Sequence, residues 1–336
     1  MAMQGRRLRY GLIAAAVLVS FAFLNNTNLF VSSPTQKLTL LAHRGVAQRF
    51  DTMGLTAETC TASRMIPSGH GFIENTIPSM RAAFDAGADI VELDVQPTTD
   101  GQFAVFHDWT LDCRTDGKGR TRDHDMEALR KLDVGYGYTA DGGKTFPLRG
   151  SGVGLMPSLG DVLQAFPDRR FLIHVKSNDV DEGVRLAAFL AAVPARERAR
   201  LAVYGGGLWQ GNDAVETVKR LMPDVRVMSG AILRRCLTEY AAYGWTGLMP
   251  EACHGTLILL PINIAPWLWG WPDRLLERFA RVGTQVFVVG PFGGEGFSTG
   301  INTAQELARL PQAYRGGVWT DEIGLVARTL RGRSSP

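Results

Sequence analysis

Two carboxylates one residue apart, Glu92-Leu93-Asp94, lie in the apolar run Asp89–Val95, which reads as a buried strand. Side chains two positions apart on a strand share a face, so both acids point the same way, into the interior. Buried together they would repel, and desolvation would cost several kcal/mol unless a cation lay between them. Glu74, in Glu74-Asn75-Thr76, adds a third carboxylate, and such an oxygen-rich set suits one hard divalent ion, Mg²⁺ or Ca²⁺. The competing interpretation is a structural ion network with Arg44 or Lys176. His43 and His107 end two other apolar runs and are able to exchange protons near neutral pH. One could take a proton from an attacking hydroxyl while the other returns one to a leaving alkoxide. Arg44 offers a planar donor fork for phosphate oxygens, and Lys176 a further positive charge. Metal, cationic clamps and proton carriers together describe phosphoryl chemistry.

Such groups need a scaffold that brings them together. Strand candidates are Leu38–His43, Asp89–Val95, Phe171–Val175, Leu201–Tyr204, Val225–Met228, Gly247–Pro250, Gln285–Val289 and Gly317–Thr320. They are rich in Val, Ile and Leu without clean alternation, as parallel strands covered on both faces should be. Amphipathic helical stretches lie between them, among them Pro78–Ala86 and a helix capped by Ser158. Eight strands with intervening helices favour a closed (β/α)₈ barrel over an open doubly wound sheet, and no Gly-rich dinucleotide fingerprint or P-loop is present. In a barrel, functional residues stand at the C-terminal strand ends. That adds His174 as a candidate metal ligand, and Glu251 and Trp319 as candidates for the substrate pocket. Two segments exceed ordinary loop length: Val46–Ile73, and Asp108–Pro157 after a short extra strand at Phe103–His107.

The chain has 336 residues and a formal charge of +3, with no Lys/Arg stripe of the kind nucleic-acid binders carry. Arg6, Arg7 and Arg9 precede an uncharged apolar run from Tyr10 to Leu24, which reads as an export signal or an N-terminal membrane anchor. A cut after Ala22 is the alternative to an uncleaved anchor. We therefore divide the chain into a leader, 1–36, and one catalytic domain, 37–330, outside the cytoplasm. In an oxidising compartment four cysteines suggest disulfides, with three pairings allowed. Cys60–Cys113 and Cys236–Cys253 are favoured, and four buried thiols are the alternative.

The motif order resembles the glycerophosphodiester phosphodiesterase family. The resemblance is carried by Ala42-His43-Arg44-Gly45, by Glu74-Asn75-Thr76 with Ala83-Phe84 and Gly87-Ala88-Asp89, and by Glu92-Leu93-Asp94-Val95. It continues through Thr99-Asp100-Gly101, Val105-Phe106-His107-Asp108 and, more weakly, Met156-Pro157-Ser158-Leu159. It implies a TIM-type barrel with a long capping insertion after the second strand. It also implies metal-dependent hydrolysis of a small glycerophosphodiester to glycerol 3-phosphate and an alcohol. By the same resemblance His43 and His107 carry the acid–base roles, and Glu74, Glu92 and Asp94 bind the metal. His43 would activate glycerol's free hydroxyl for attack on phosphorus and His107 would protonate the departing alcohol; direct attack by water is the alternative. The sequence departs from the family at His174, where members commonly carry Glu, and imidazole leans toward transition metals or a contact through water.

The stretch from Leu257 to Pro272, with Trp267, Trp269 and Trp271, reads as an apolar loop after strand six on the catalytic face. Clustered tryptophans suit a bilayer interface, so this loop and the N-terminus are candidate membrane contacts; an insertion folded back as core is the bland alternative. Two other functions compete: a phospholipase D-like enzyme acting on intact or lyso-phospholipids, and a catalytically silent barrel that binds a ligand. Retention of both histidines, the acid pair and Arg44 argues against silence.

Overall fold

The computed structural model describes residues 2–31, 37–56, 59–206, 211–294 and 299–332. The domain boundary expected at residue 36 lies outside the described residues. Eight parallel strands form the barrel wall: β1 (Thr39–Ala42), β2 (Ile90–Pro97), β4 (Arg170–Val175), β5 (Leu201–Gly205), β6 (Arg226–Ser229), β7 (Leu257–Pro261), β8 (Gln285–Val289) and β9 (Gly317–Thr320). They follow the order β6-β5-β4-β2-β1-β9-β8-β7, so the first and last strands of the chain pair at the centre. Between β6 and β7 the circle is nearly closed, with Thr256 Oγ1 donating to Val227 O at 2.6 Å. The extra strand β3 (Phe103–Val105) pairs antiparallel with the far end of β2.

Helices cover the wall. After the N-terminal α1 (Ala2–Asn26), α2 (Ile77–Asp85) follows β1, and α3 (Met126–Leu129) and α4 (Leu159–Ala165) follow β3. Then come α5 (Val180–Ala192) and α6 (Ala195–Arg198) after β4, α7 (Asp213–Leu221) after β5 and α8 (Gly230–Tyr243) after β6. The last three are α9 (Asp273–Arg281), α10 (Ala304–Leu307) and α11 (Ile323–Gly332). Local chemistry sets their starts. Thr76 accepts from Ser79 N at the head of α2, Ser158 and Asp161 form a capping box on α4, and Ser229 caps α8.

Every residue of β2 is buried, Glu92 and Asp94 included. That continuous burial is what the unalternating Val/Ile/Leu pattern implied, and each fully buried aliphatic side chain contributes about 1.5–3 kcal/mol. A second apolar cluster, separate from the barrel core, lies under the capping segment and includes Phe106, Leu111, Met126, Leu129 and Tyr138. The two favoured disulfides are both present, Cys60–Cys113 and Cys236–Cys253, with Cα separations of 5.4 and 4.9 Å.

One strand expectation is corrected. Gly247–Pro250 is not a strand; the strand is Leu257–Pro261, inside the stretch read as an apolar loop. A short parallel strand covered on both sides has no alternation to separate it from an apolar loop. Glu251 consequently precedes its strand, in a turn of 3₁₀ helix, Glu251–Cys253. It stands at the barrel end away from the C-terminal strand ends and is not a pocket residue.

Candidate active site

Register between neighbouring strands assembles the acid cluster. Asp94 of β2 lies directly beside His174 of β4, and His174 beside Tyr204 of β5. His174 Nδ1 is 2.8 Å from Asp94 Oδ1 and 3.7 Å from Glu92 Oε1, and the imidazole stacks on Tyr204 with ring centroids 4.3 Å apart. Tyr204 OH donates to Glu92 Oε1 at 2.7 Å. Glu92, Asp94 and His174 each offer a ligand atom, all within 4.8 Å of one another.

The two carboxylates are not equally compensated. Asp94 faces Arg44 Nε at 3.0 Å and accepts from Asn75 Nδ2 at 2.9 Å. Burial opposes its ionisation, yet Arg44, His107 and His174 hold it well below the usual carboxylate range. Glu92, fully buried, has no Lys or Arg side chain in ion-pair range among the described residues, only Tyr204, the Arg44 backbone N–H and two imidazoles nearby. Burial and the neighbouring Asp94 push its pKa up. A buried carboxylate with that surplus of negative charge, beside a second acid and an imidazole, is chemically suited to a cation.

Two His–Asp pairs flank this cluster. His43, just after β1, has Nδ1 2.6 Å from Asp321 Oδ1, and its Nε2 is 3.8 Å from Glu92 Oε2. Asp321 is itself held by Asn302 Nδ2 at 2.6 Å. His107, just after β3, has Nδ1 2.6 Å from Asp108 Oδ1 and Nε2 2.9 Å from Lys176 Nζ. In each pair the carboxylate fixes the ring and its tautomer. The environments differ. Burial and Arg44 push His43 down, but Glu92 and Asp321 outweigh them and its pKa is raised. Burial, Arg44 and Lys176 push His107 down to about 4.

Glu74 is occupied by two arginines: Arg44 Nη1 reaches Oε1 at 2.9 Å and Arg114 Nη1 reaches Oε2 at 3.0 Å. Burial opposes, but Arg114 and Arg44 hold its pKa below the ordinary value. It braces the site instead of sharing the cluster that Glu92, Asp94 and His174 form. Arg44 adopts φ 57° and Asn75 φ 59°, left-handed conformations that put strained turns at both loop ends feeding the site. Gly45 must be glycine, since a Cβ there would collide with the Ser79 hydroxyl. Trp319 is 2% exposed with its ring 5.2 Å from His43, and its indole N–H has no partner among the described residues.

Arg114, Tyr138, Tyr204 and Asn302 were not singled out from sequence. Arg114 is the most consequential, donating to Glu74, to Asp108 Oδ2 at 2.9 Å, to Tyr138 OH at 2.6 Å and to Thr61 Oγ1 at 2.5 Å. Its neighbour Cys113 was the one available signal, because a disulfide there ties Thr61 and Arg114 into one clamp.

A profile of the Glycerophosphoryl diester phosphodiesterase family matches residues 43–198, which contain every charged side chain of this site except Asp321. The fold and site thus define a phosphodiesterase built on a TIM barrel. The chain is 38% identical over 266 residues to the glycerophosphodiester phosphodiesterase of Caldanaerobacter subterraneus subsp. tengcongensis, covering 77% of this chain and 92% of that one. It belongs to the glycerophosphodiester phosphodiesterase family. Among solved structures, the glycerophosphoryl diester phosphodiesterase domain of a Mycobacterium tuberculosis protein superposes with a TM-score of 0.62 at 18% identity, covering 87% of this chain and 99% of that one. An Oleispira antarctica phosphodiesterase in complex with its product sn-glycerol-3-phosphate gives 0.53 at 17% identity, covering 88% and 96%. At such identities these two show the shared fold.

Proposed function

We propose that this phosphodiesterase hydrolyses glycerophosphodiesters to glycerol 3-phosphate and an alcohol, using one divalent cation held by Glu92, Asp94 and His174, with His43 and His107 as proton carriers. The observation that carries this reading is the under-compensated charge of Glu92 beside Asp94 and His174, between two His–Asp pairs. When bound, the cation supplies Lewis-acid polarisation of the phosphodiester and neutralises developing charge. Mg²⁺ or Ca²⁺ suits the two carboxylates, while His174 broadens the choice toward Mn²⁺ or Zn²⁺. The oxygen that sequence reasoning drew from Glu74 is better used where both arginines hold it, stiffening Arg44 against the phosphate.

His43 accepts the proton of the glycerol hydroxyl that attacks phosphorus. Its raised pKa comes from Glu92 and Asp321, and cation charge at Glu92 would lower it toward a working base. Lys176 turns from His107 Nε2 to a phosphate oxygen, and the substrate's negative charge lets His107 carry the proton that the departing alcohol takes. Water then opens the cyclic ester. A second reading exchanges the two histidines, favoured by His43 sitting high and His107 low before substrate binds. Trp319 N–H is a donor for the glycerol moiety. The domain works outside the cytoplasm, supported by two disulfides and the basic, apolar N-terminus.

The test is release of glycerol 3-phosphate from glycerophosphocholine after chelator treatment, with Ca²⁺, Mg²⁺, Mn²⁺ or Zn²⁺ added back singly. Ion-dependent release is expected, and full activity in chelator would overturn the cation. Glu92→Ala with Asp94→Ala should abolish bound metal by elemental analysis; unchanged stoichiometry would remove the cradle.

A further inference from the structure

α1 carries an apolar stretch, Arg6–Asn26, of 21 residues with mean hydropathy 1.7 and none of it buried. At 1.5 Å per residue it reaches about 30 Å, the thickness of a bilayer's hydrocarbon core. Leu12, Ile13, Val17, Leu18, Val19 and Phe23 are all exposed, so ahead of its last turns the helix has no protein-facing side to pack. Arg6, Arg7 and Arg9 mark its N-terminal end, the arrangement that keeps that end in the cytoplasm.

The other end is built into the catalytic domain. Asn25 Nδ2 and Asn26 Nδ2 both donate to Trp245 O, at 2.9 and 2.8 Å, and Phe21 meets the Trp245 ring edge-on. Asn28 accepts from Arg274 N at 3.0 Å and donates to Trp271 O at 2.8 Å. Arg278 is 2% exposed, and no carboxylate pairs with it among the described residues. Its guanidinium donates instead to Asn26 Oδ1, Asn25 O, Tyr240 OH and Gly244 O. Half of this buried cation's acceptors therefore belong to α1, at the helix end whose dipole is negative. A cut after Ala22 would leave Asn25, Asn26 and Asn28 on the catalytic domain and remove the helical turn that shapes them, including the Ala22 O that accepts from Asn26 Nδ2 at 2.7 Å.

The latch also has an address. α8 starts immediately after β6, at the catalytic end of the barrel, so its last residue, Tyr243, lies toward the opposite end. α1 docks on the turn that follows it, Gly244–Thr246. Trp269 Nε1 donates to Ala241 O at 2.8 Å, which carries the tryptophan segment down the barrel flank and away from the catalytic face expected from sequence. Exposed Leu29 and Phe30 stand at the helix exit with Leu248, next to the Gly247 that Asn25 meets. Trp267, 85% exposed, lies on the segment between β7 and α9 that Asn28 grips at Trp271. Apolar side chains at the exit of an apolar helix, with an exposed indole on the adjoining segment, fit the interfacial layer of a bilayer.

We propose that α1 is retained as a membrane anchor and that the Asn25/Asn26/Asn28–Arg278 latch holds the barrel with Trp267 at the bilayer surface and the catalytic mouth toward water. Resting on the phosphodiesterase reading above, this makes soluble, deacylated glycerophosphodiesters the substrate class, in preference to lipids still in the membrane. In both cases the P–O bond to choline would break with addition of water, so choline release reads either reaction.

The full-length chain is purified from membranes and reconstituted into phosphatidylcholine vesicles. Intact mass should show a chain containing α1; a soluble product beginning at residue 23 or later would overturn the anchor. Brominated acyl chains should quench tryptophan fluorescence, and Trp267→Phe should remove most of that quenching; quenching unchanged by this substitution would overturn the orientation. Asn26→Ala with Asn28→Ala leaves the barrel core intact, as unchanged glycerophosphocholine turnover in detergent would verify. It should keep the chain in the membrane while losing the Trp267 quenching, and retention of full quenching would overturn the latch. In vesicles, glycerophosphocholine should release choline and embedded lysophosphatidylcholine should not; equal rates would overturn the substrate class. If neither is cleaved, the catalytic reading fails, and quenching still decides the anchor.

Discussion

Glu92, Asp94 and His174 stand on adjacent barrel strands, whereas His107, Asp108 and Arg114 stand where the chain has left the barrel. The first group needs little beyond sheet register: Asp94 and His174 are ladder partners, β2 is buried throughout, and β4 is buried except at Arg170 and His174. The second group has no ladder to place it. Asp108 and Glu74 are held by one buried guanidinium, the clamp is tied by the Cys60–Cys113 bond, and a small apolar cluster supports it from beneath. One half of the site is positioned by the fold, the other by a few specific and separately breakable contacts.

Removing a proton carrier from either half should have the largest effect. His43→Ala and His107→Ala are each expected to slow glycerol 3-phosphate release by about 10²–10⁴-fold while circular dichroism stays native. Near-normal initial rates in either variant would remove that residue from the mechanism. Next in size is Arg114→Met, which leaves buried Glu74 to Arg44 alone and half-buried Asp108 to His107 alone, and should lower stability by about 3 kcal/mol in urea unfolding. Arg114→Lys should restore only part, because an ammonium cannot span Asp108, Glu74 and Thr61 together. A loss below 1 kcal/mol, roughly that of an exposed ion pair, would show that the loop half does not depend on the clamp.

The disulfides separate the halves more gently. Cys60→Ser with Cys113→Ser should cost about 2–4 kcal/mol and also lower kcat, since the bond sits beside Thr61 and Arg114. Replacing Cys236 and Cys253 instead should lower stability with kcat unchanged. Equal effects on kcat would erase the distinction. The smallest effect is a shift in pH dependence. Asp321 raises the pKa of His43, so Asp321→Asn should move the His43 limb of the kcat/KM profile toward lower pH. Asp321 itself is held down to about 2 by His43 and Asn302 against the cost of burial. Its contribution to stability is therefore present above its ordinary pKa of 3.8 and fades as pH falls from there toward 2. An unmoved limb would separate Asp321 from His43.

The same contrast explains what the sequence disclosed. Residues at strand ends were legible because a two-residue period and the habit of barrels to place function at C-terminal strand ends leave few choices, which is how Glu92, Asp94, His43 and Lys176 came together on paper. Trp319 was reached the same way. Glu251 shows how this logic fails: Gly247–Pro250 offered the turn residues and length of a strand, and one misplaced strand put Glu251 at the wrong end of the barrel. Arg114 was invisible because nothing local distinguishes a buried arginine in a long segment from an exposed one. Its partners come from positions 61, 74, 108 and 138, and only tertiary structure joins them. Glu74 was seen as a carboxylate near the cation but not as the acid two arginines would claim. Tyr204 looked like ordinary strand filler until stacking on His174 gave it a purpose.

The separate apolar cluster beneath the capping segment makes that segment a cooperative unit of its own. It can loosen on a free-energy scale smaller than global unfolding, and hydrogen exchange should find amides near Leu111 and Met126 opening before those of β2. Lys176 Nζ lies 5.8 Å from the centre of the Trp109 ring of this segment, so the same loosening would reach the cation that faces His107. Substitutions within this cluster should therefore loosen the cap while leaving β2 and its Glu92–Asp94 pair in place.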